Sequence, residues 1–503
     1  MFKNALVSVS DKSGLIEFLK PLQAKGLRIV STGGTSQHLK DAGLAVVDIK
    51  DHTGYPEVMD GRVRTLHPRI HMALLARSFV PADHELLRKE GLEPFDLVIG
   101  NLYPFEEALQ KGFKDQELIE YIDIGGPSLL RSAAKSFERI TVVCDPRDYA
   151  RILENGADLA ARRALAAKVF AHTSTYDSMV AEELGLSSEA FDRSWGGYRK
   201  GELRYGENSH QTAGWYRAAG STWGLHQARV LQGKALSYNN LLDLDAACHA
   251  LRMMGGIGVV GVKHNNPCGA ATGADAVSCM DRALKADPVS IFGGIVASSY
   301  VVDREMAQLL GDLFLECVVA PGFSPDAIAV LEKKKNLRLL EWKQMLEGSP
   351  KGEVRSVAGG YLYQQADQRE LWSPDWEIVG QEPSLLIQNE MMFAWGVCAA
   401  LKSNAICITS DLQTRGLGMG QVNRVDAVEQ AITRWKRFHP KAEKVVLASD
   451  AFFPFPDSIE LAARAGVAWV IQPGGSMKDA EVKKAAELNG VNMVMTGRRH
   501  FRH

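Results

Sequence analysis

The sequence predicts an α/β protein of more than one domain, organised around parallel sheets. Three observations carry that expectation. The first 150 residues alternate short β-branched runs with helix-like segments. Two further apolar runs, at 97–100 and 140–143, each end in a polar or proline-containing loop. The chain has 503 residues, whereas one domain usually holds about 100–200, so two to four units are expected.

The elements follow in order. Residues 5–9, 27–30 and 45–48 read as strands, and residues 15–19 and 36–42 between them read as helices, a βαβαβ rhythm. Parallel sheets bind ligands beyond the carboxyl ends of their strands. Three polar loops fall there: Ser8-Val9-Ser10-Asp11-Lys12, Ser31-Thr32-Gly33-Gly34-Thr35 and Asn101-Leu102-Tyr103-Pro104-Phe105. The glycine-rich, charged stretch at 194–201 interrupts the helical pattern and marks the main domain boundary. Beyond it, Lys263-His264-Asn265 precedes a helix-like run and an apolar run at 292–299. Lys402-Ser403-Asn404 likewise precedes a helix-like run and an apolar run at 445–449. Two readings stay open at this level: an internal duplication, or two ordinary α/β segments that share composition. In the second segment Val428, Ala431, Ile432 and Trp435 recur at helical spacing. Asp457 or Ser458 is expected to cap a helix over 459–465 that Gly466 stops.

Composition excludes several classes. Apolar residues make up 46% and charged residues 23%, with Lys+Arg 58 against Asp+Glu 60, so disorder, collagen and a basic nucleic-acid-binding face are disfavoured. Anion binding must come from local cations and backbone N–H groups. The seven cysteines are scattered without a C-x-x-C pair, which argues against a disulfide scaffold. No signal core follows Met1 and no run of about 20 apolar residues occurs, so a cytoplasmic protein with no membrane partner is expected.

Thr32-Gly33-Gly34-Thr35, after a strand and before a helix, suits a phosphate at the positive end of a helix dipole. Taken alone it is an ordinary turn, but Ser8, Ser10 and Lys12 add donors to the same rim. The loop from Asp60 to Pro68 packs Arg62, Arg64, Thr65 and His67 together, and Ile122-Asp123-Ile124-Gly125-Gly126-Pro127, with Arg131 and Lys135, supplies a second charged loop and helix start. Metal binding fails on spacing. His67 and His71 lack the glutamate of H-E-x-x-H, and His264-Asn265-Asn266-Pro267-Cys268 departs from the zinc deaminase signature at Asn266 and Ala271. A metal-free site is expected there. Lys263 beside His264 places a positive charge where it disfavours imidazolium, which suits a neutral base.

Together these motifs resemble the bifunctional purine biosynthesis enzymes with phosphoribosylaminoimidazolecarboxamide formyltransferase and inosine monophosphate cyclohydrolase activities. The likeness spans essentially the whole chain. It also rests on Leu203-Arg204-Tyr205-Gly206-Glu207-Asn208, Leu236-Ser237-Tyr238-Asn239-Asn240, Lys263 to Gly269, Ser449-Asp450-Ala451-Phe452-Phe453-Pro454-Phe455 and Gln472-Pro473-Gly474-Gly475-Ser476. The resemblance implies a cyclohydrolase domain over 1–199 similar to methylglyoxal synthase. It implies a transformylase of two subdomains, 200–370 and 371–503, similar to cytidine deaminase without its zinc. It further implies a homodimer with shared transformylase sites, nucleotide and folate substrates, no tightly bound cofactor, and 10-formyltetrahydrofolate consumed as cosubstrate.

By the same resemblance, His264 takes the proton from the nucleotide's amine, Lys263 assists and Asn404 stabilises the oxyanion. Arg204, Tyr205, Asn239, Glu316, Arg424, Asp450, Phe452 and Arg499 grip nucleotide and folate. For ring closure Lys135, Asp123, Tyr103 and Arg64 surround the reacting groups. Ser8, Ser10, Lys12, Thr32, Gly33, Gly34 and Thr35 hold the phosphate, and Arg62, Thr65 and Asn101 line the nucleotide. The chain departs from the family pattern at Arg64, where lysine is usual, and at Met72-Ala73, Ser209 and Met419. Arginine does not readily give up a proton. The alternative is therefore a transformylase with a weakened cyclohydrolase or a nucleotide-sensing N-terminal domain.

Overall fold

The structure, a computed structural model, describes residues 2–185 and 194–503. The chain divides into two units, Met1–Arg199 with Tyr216–Thr222, and Lys200–Trp215 with Trp223–His503.

The first unit is built on five parallel strands, β1 (Asn4–Ser8), β2 (Arg28–Ser31), β3 (Val47–Asp48), β4 (Leu97–Gly100) and β5 (Thr141–Val143), in the order β3-β2-β1-β4-β5. Alternate residues feed two cores. Leu6, Val30, Val98 and Val142 face one layer of helices, and Ala5, Val7, Ile29 and Ile99 face the other. The strand order reverses between β1 and β4, which opens a crevice beyond their carboxyl ends. Two details differ from the sequence reading. Gly33 and Gly34 are the first residues of helix Gly33–Asp41, with Thr32 as N-cap, rather than a turn ahead of it. His67 is also an N-cap, its ring nitrogen accepting from Arg69 N at 3.2 Å, so it precedes the helix that carries His71.

A ribbon follows, β6 (Gly197–Leu203) with β7 (Ala213–Ala218). The second unit then adds β8 (Arg229–Gln232), β9 (Val259–Lys263), β10 (Asn266–Ala271), β11 (Ile295–Ser298), β12 (Cys317–Ala320) and β13 (Arg338–Glu341). After these come a ribbon of β14 (Gly352–Val357) with β15 (Gly360–Gln365), then β16 (Glu377–Val379), β17 (Ile406–Ser410), β18 (Gln413–Gly418), β19 (Val446–Ser449), β20 (Trp469–Gln472) and β21 (Asn492–Met495). Twelve of these strands form one sheet, in the order β16-β21-β20-β19-β17-β18-β10-β9-β11-β12-β13-β8.

That order is a duplication. In each half an antiparallel hairpin (β9–β10, β17–β18) is followed by a strand antiparallel to its first arm (β11, β19). Two parallel strands come next, and the half's first strand closes the edge. The halves meet where β10 and β18 pair, Ala271 opposite Gln413. Both central hairpins carry a helix pressed on a glycine. A Cβ on Gly269 would lie 2.3 Å from the Ala283 carbonyl, and one on Gly416 would lie 2.0 Å from that of Ala431. The duplication is real, but its register differs from the sequence reading. Lys263-His264-Asn265 matches Ser410-Asp411-Leu412 at the hairpin turns, whereas Lys402-Ser403-Asn404 matches the segment before β9. Composition alone aligned two lysine-led tripeptides that occupy different places. At helix Asp457–Ala465 the N-cap is Pro456 with no side-chain cap, so Asp457 and Ser458 lie inside the helix, while Gly466 ends it at φ 96.

Candidate active sites

In the first unit the loops after β1, β2 and β4 converge at the crevice. Ser8 Oγ and Thr32 Oγ1 lie 3.1 Å apart, and the N-terminus of helix Gly33–Asp41 has no side-chain cap, leaving its first N–H groups directed outward. The Arg64 guanidinium sits against this loop. A Cβ at Gly33 would meet Arg64 Nη1 at 2.2 Å, and the cation pairs with Glu57. Thr65 packs under Gly125, 2.3 Å from where a Cβ would stand. Asp123 is buried, and its carboxylate accepts from Gly126 N at 2.8 Å and Tyr103 N at 3.2 Å, while Tyr176 Oη accepts from Asp123 N at 2.8 Å. Burial raises its pKa above the usual aspartate range, against those two N–H groups, which lower it. Ser8, Thr32, Gly33, Arg64, Thr65, Asp123 and Tyr103 therefore line one region.

Four expected contacts have other work. The buried Thr35 hydroxyl is exchanged with the Val9 backbone, donating to its carbonyl at 2.9 Å and accepting from its N–H at 3.2 Å. Asn101 Oδ1 accepts from Ser10 N at 2.6 Å and Asp11 N at 3.0 Å, so it shapes the loop of Ser10 and Lys12. Arg62 pairs with Glu120. Lys135 ends helix Gly125–Lys135, about 15 Å along the axis from Gly125, and lines a separate groove with Arg131, Arg163, Phe137 and Phe170. The helix that presents Gly125 and Gly126 to the site carries Lys135 away from it.

In the second unit the turn between β9 and β10 holds His264 exposed at its apex, with His264 and Asn265 both in the left-handed region (φ 53 and 62). Lys263 and His264 line a cleft of about 430 Å³ between β18 and the helices of the two halves. Lys263 Nζ donates to the Phe292 carbonyl at 2.6 Å. Asn266 ties the turn to the other half: its Oδ1 accepts from Lys402 N at 3.0 Å, and Asn404 Nδ2 in turn donates to Gln421 O at 2.8 Å, using one of the amide's two N–H groups. Burial pushes the Cys268 thiol up to about 12, which keeps it protonated. Among the described residues no group of three or more His, Cys, Asp or Glu side chains gathers as for a metal.

Arg424 and Asp450 hold the frame instead of standing open to a ligand. Asp450 is fully buried; it pairs with Arg424 and accepts from Ser403 Oγ at 2.5 Å and Ala405 N at 3.1 Å. The pair fixes the segment that carries Asn404. Asp450 is committed to these bonds, and Nη1 of Arg424 is committed to Asp450 and to the Ala405 carbonyl at 3.2 Å. Glu316, just before β12, is bonded to buried Arg338 at 2.7 Å, with β11 lying between it and Lys263 of β9. Arg204 stacks on Tyr205 at 4.6 Å, and Asn239 Nδ2 reaches Glu207 O at 3.3 Å, gathering those three around one loop. Phe452 is part exposed, and Arg499 lies over Phe501 at 4.9 Å. Two residues escaped the sequence reading. Tyr176 carries no motif; Asp243, whose Oδ1 accepts from Asn265 N at 2.6 Å, lies three positions beyond the Leu236–Asn240 motif.

Two parallel-sheet and hairpin centres of this kind define a two-site α/β protein. An MGS-like domain matches residues 14–128, and the AICARFT/IMPCHase bienzyme matches residues 133–434. The bifunctional purine biosynthesis proteins PurH of Cyanothece sp. and Oceanobacillus iheyensis are each 45% identical, over 99% and 100% of both chains respectively; that of Persephonella marina is 43% identical over 100% of both. The crystal structure of ForH is similar over 37% of this chain and 100% of its own, at 32% identity and a TM-score of 0.33. The chain belongs to the AICARFT/IMPCHase bienzyme family.

Proposed function

We propose that the chain carries out both reactions of its family, with each unit doing one. It is a bifunctional enzyme of purine biosynthesis: an AICAR formyltransferase that uses 10-formyltetrahydrofolate as a substrate, and an IMP cyclohydrolase. In the second unit His264 accepts the proton of the exocyclic amine as its nitrogen bonds the formyl carbon. The tetrahedral oxyanion is stabilised by the Asn404 amide, and its collapse expels the folate nitrogen, which takes up a proton from the Lys263 ammonium. Arg204, Tyr205, Asn239, Phe452 and Arg499 serve as substrate contacts, and Glu316 orders the start of β12 through Arg338.

In the first unit the carboxamide nitrogen attacks the formyl carbon of the same molecule and water leaves, so orientation supplies most of the rate. Ser8, Ser10, Lys12 and the Thr32-Gly33-Gly34 helix start take the phosphate; Arg64, Thr65, Tyr103 and Asp123 face the base. The enzyme works in the cytoplasm as a homodimer, with no tightly bound cofactor. Among the described residues no helix is long and apolar enough to cross a membrane.

The observation that supports this most is the exposed His264 turn bonded through Asn266 to the Asn404 segment. The test supplies the full chain with AICAR and 10-formyltetrahydrofolate and follows both products. Inosine monophosphate is expected, with a formylated intermediate that does not accumulate. Accumulation of that intermediate would instead mark ring closure as impaired at Arg64.

A further inference from the structure

The hairpin turns of the two halves are strained in the same way and secured in the same way. His264 and Asn265 have φ 53 and 62; their counterparts Asp411 and Leu412 have φ 55 and 54. Left-handed backbone in non-glycine residues persists only where the surroundings hold it. In each half the holder is a carboxylate from the preceding helix, at the matching position. Asp243 of Tyr238–Met253 accepts from Asn265 N at 2.6 Å, and Glu390 of Leu385–Ala399 accepts from Leu412 N at 2.8 Å. The Asn265 side-chain amide also donates to Asp243 Oδ1 at 3.2 Å and to Leu242 O at 3.1 Å. Of the two turns, only the first carries an imidazole; the second carries the Asp411 carboxylate, which pairs with Arg415 at 3.2 Å.

We infer that Asp243 is a positioning residue for formyl transfer, fixing the left-handed turn that aims the His264 imidazole, while Glu390 fixes the same turn for structure alone. This rests on the reading of His264 as the base. Asp243 is half-buried and lies one helical turn beyond Asn239, so the helix that contributes a substrate contact also sets the angle of the base. Burial raises its pKa, and the backbone N–H of Asn265 lowers it. A charge-assisted bond holds more firmly than a neutral one, and misplacement of a catalytic group by 1 Å costs about 100-fold in rate.

The experiment uses the full-length enzyme and four variants, Asp243→Asn, Asp243→Glu, Glu390→Gln and His264→Ala. Formyl-transfer kcat, both KM values, ring-closure kcat and Tm are measured for each. Asp243→Asn is expected to lower transfer kcat about 10- to 100-fold, with KM values and ring closure within about twofold. Asp243→Glu is expected to restore part of that loss, and Glu390→Gln to lower Tm while leaving transfer kcat unchanged. If Asp243→Asn transfers at the parental rate while His264→Ala is inactive, the positioning role is overturned and the reading of His264 stands. If His264→Ala is fully active, both fall. Should Asp243→Asn fail to fold, Asp243→Ser, which keeps one acceptor, is read against the same expectations.

Discussion

The two halves of the twelve-stranded sheet share strand order, a helix seated on a hairpin glycine, and a carboxylate under a left-handed turn, yet they differ in what the turn displays. The first half shows Lys263-His264-Asn265-Asn266; the second shows Ser410-Asp411-Leu412-Gln413. A second exchange runs the other way. Before β17, Ala405 N is held by buried Asp450; before β9, Gly258 N is held by Ser299 Oγ at 2.9 Å. One frame has thus been used twice. The proposed base, His264, belongs to one copy, and the buried ion pair beside the Asn404 segment belongs to the other. Frame and chemistry can be separated by mutation because the turn and the carboxylate that holds it have counterparts in the other half.

The largest stability difference should come from that second exchange. Asp450→Ala leaves buried Arg424 unpaired and is expected to cost about 3–5 kcal/mol, against about 1 kcal/mol for Ser299→Ala, read from urea midpoints. Equal effects would mean the two halves are secured alike. Next, Gly269→Ala and Gly416→Ala should each cost about 1–3 kcal/mol and by similar amounts, because both added methyls meet a helix carbonyl. A large inequality would break the symmetry of the frame. The smallest effect is expected at Leu412→Gly, where relief of the left-handed backbone and loss of the side chain's packing on the core oppose each other, so Tm should shift little and formyl transfer stay intact.

The frame was more legible in the sequence than the contacts were. Short β-branched runs and glycine stops located strands such as Leu97–Gly100 and the end of helix Asp457–Ala465, because these follow from local chemistry. The pairing of the two halves was visible only as two lysine-led tripeptides, and it was misaligned. The true correspondence lies in positive φ values and in helix carboxylates from elsewhere in the chain, neither of which has a periodic signature. The sequence marks Thr35, Asn101, Arg424 and Asp450 as motif residues, but not the bonds they make within the chain. Whether a polar side chain faces a ligand or its own backbone depends on burial, and burial is set by distant packing. Helix length alone separates Lys135 from Asp123, which adjacency in a motif conceals.

By the proposed function, one turn carries the chemistry and its counterpart carries only the fold. Single-turnover formyl transfer by His264→Ala and Asp411→Ala, on the folded full-length chain, tests it most directly. A loss of about 10²–10⁴ for the first, beside a parental rate for the second, is the expected result. Comparable rates for the two variants would contradict it.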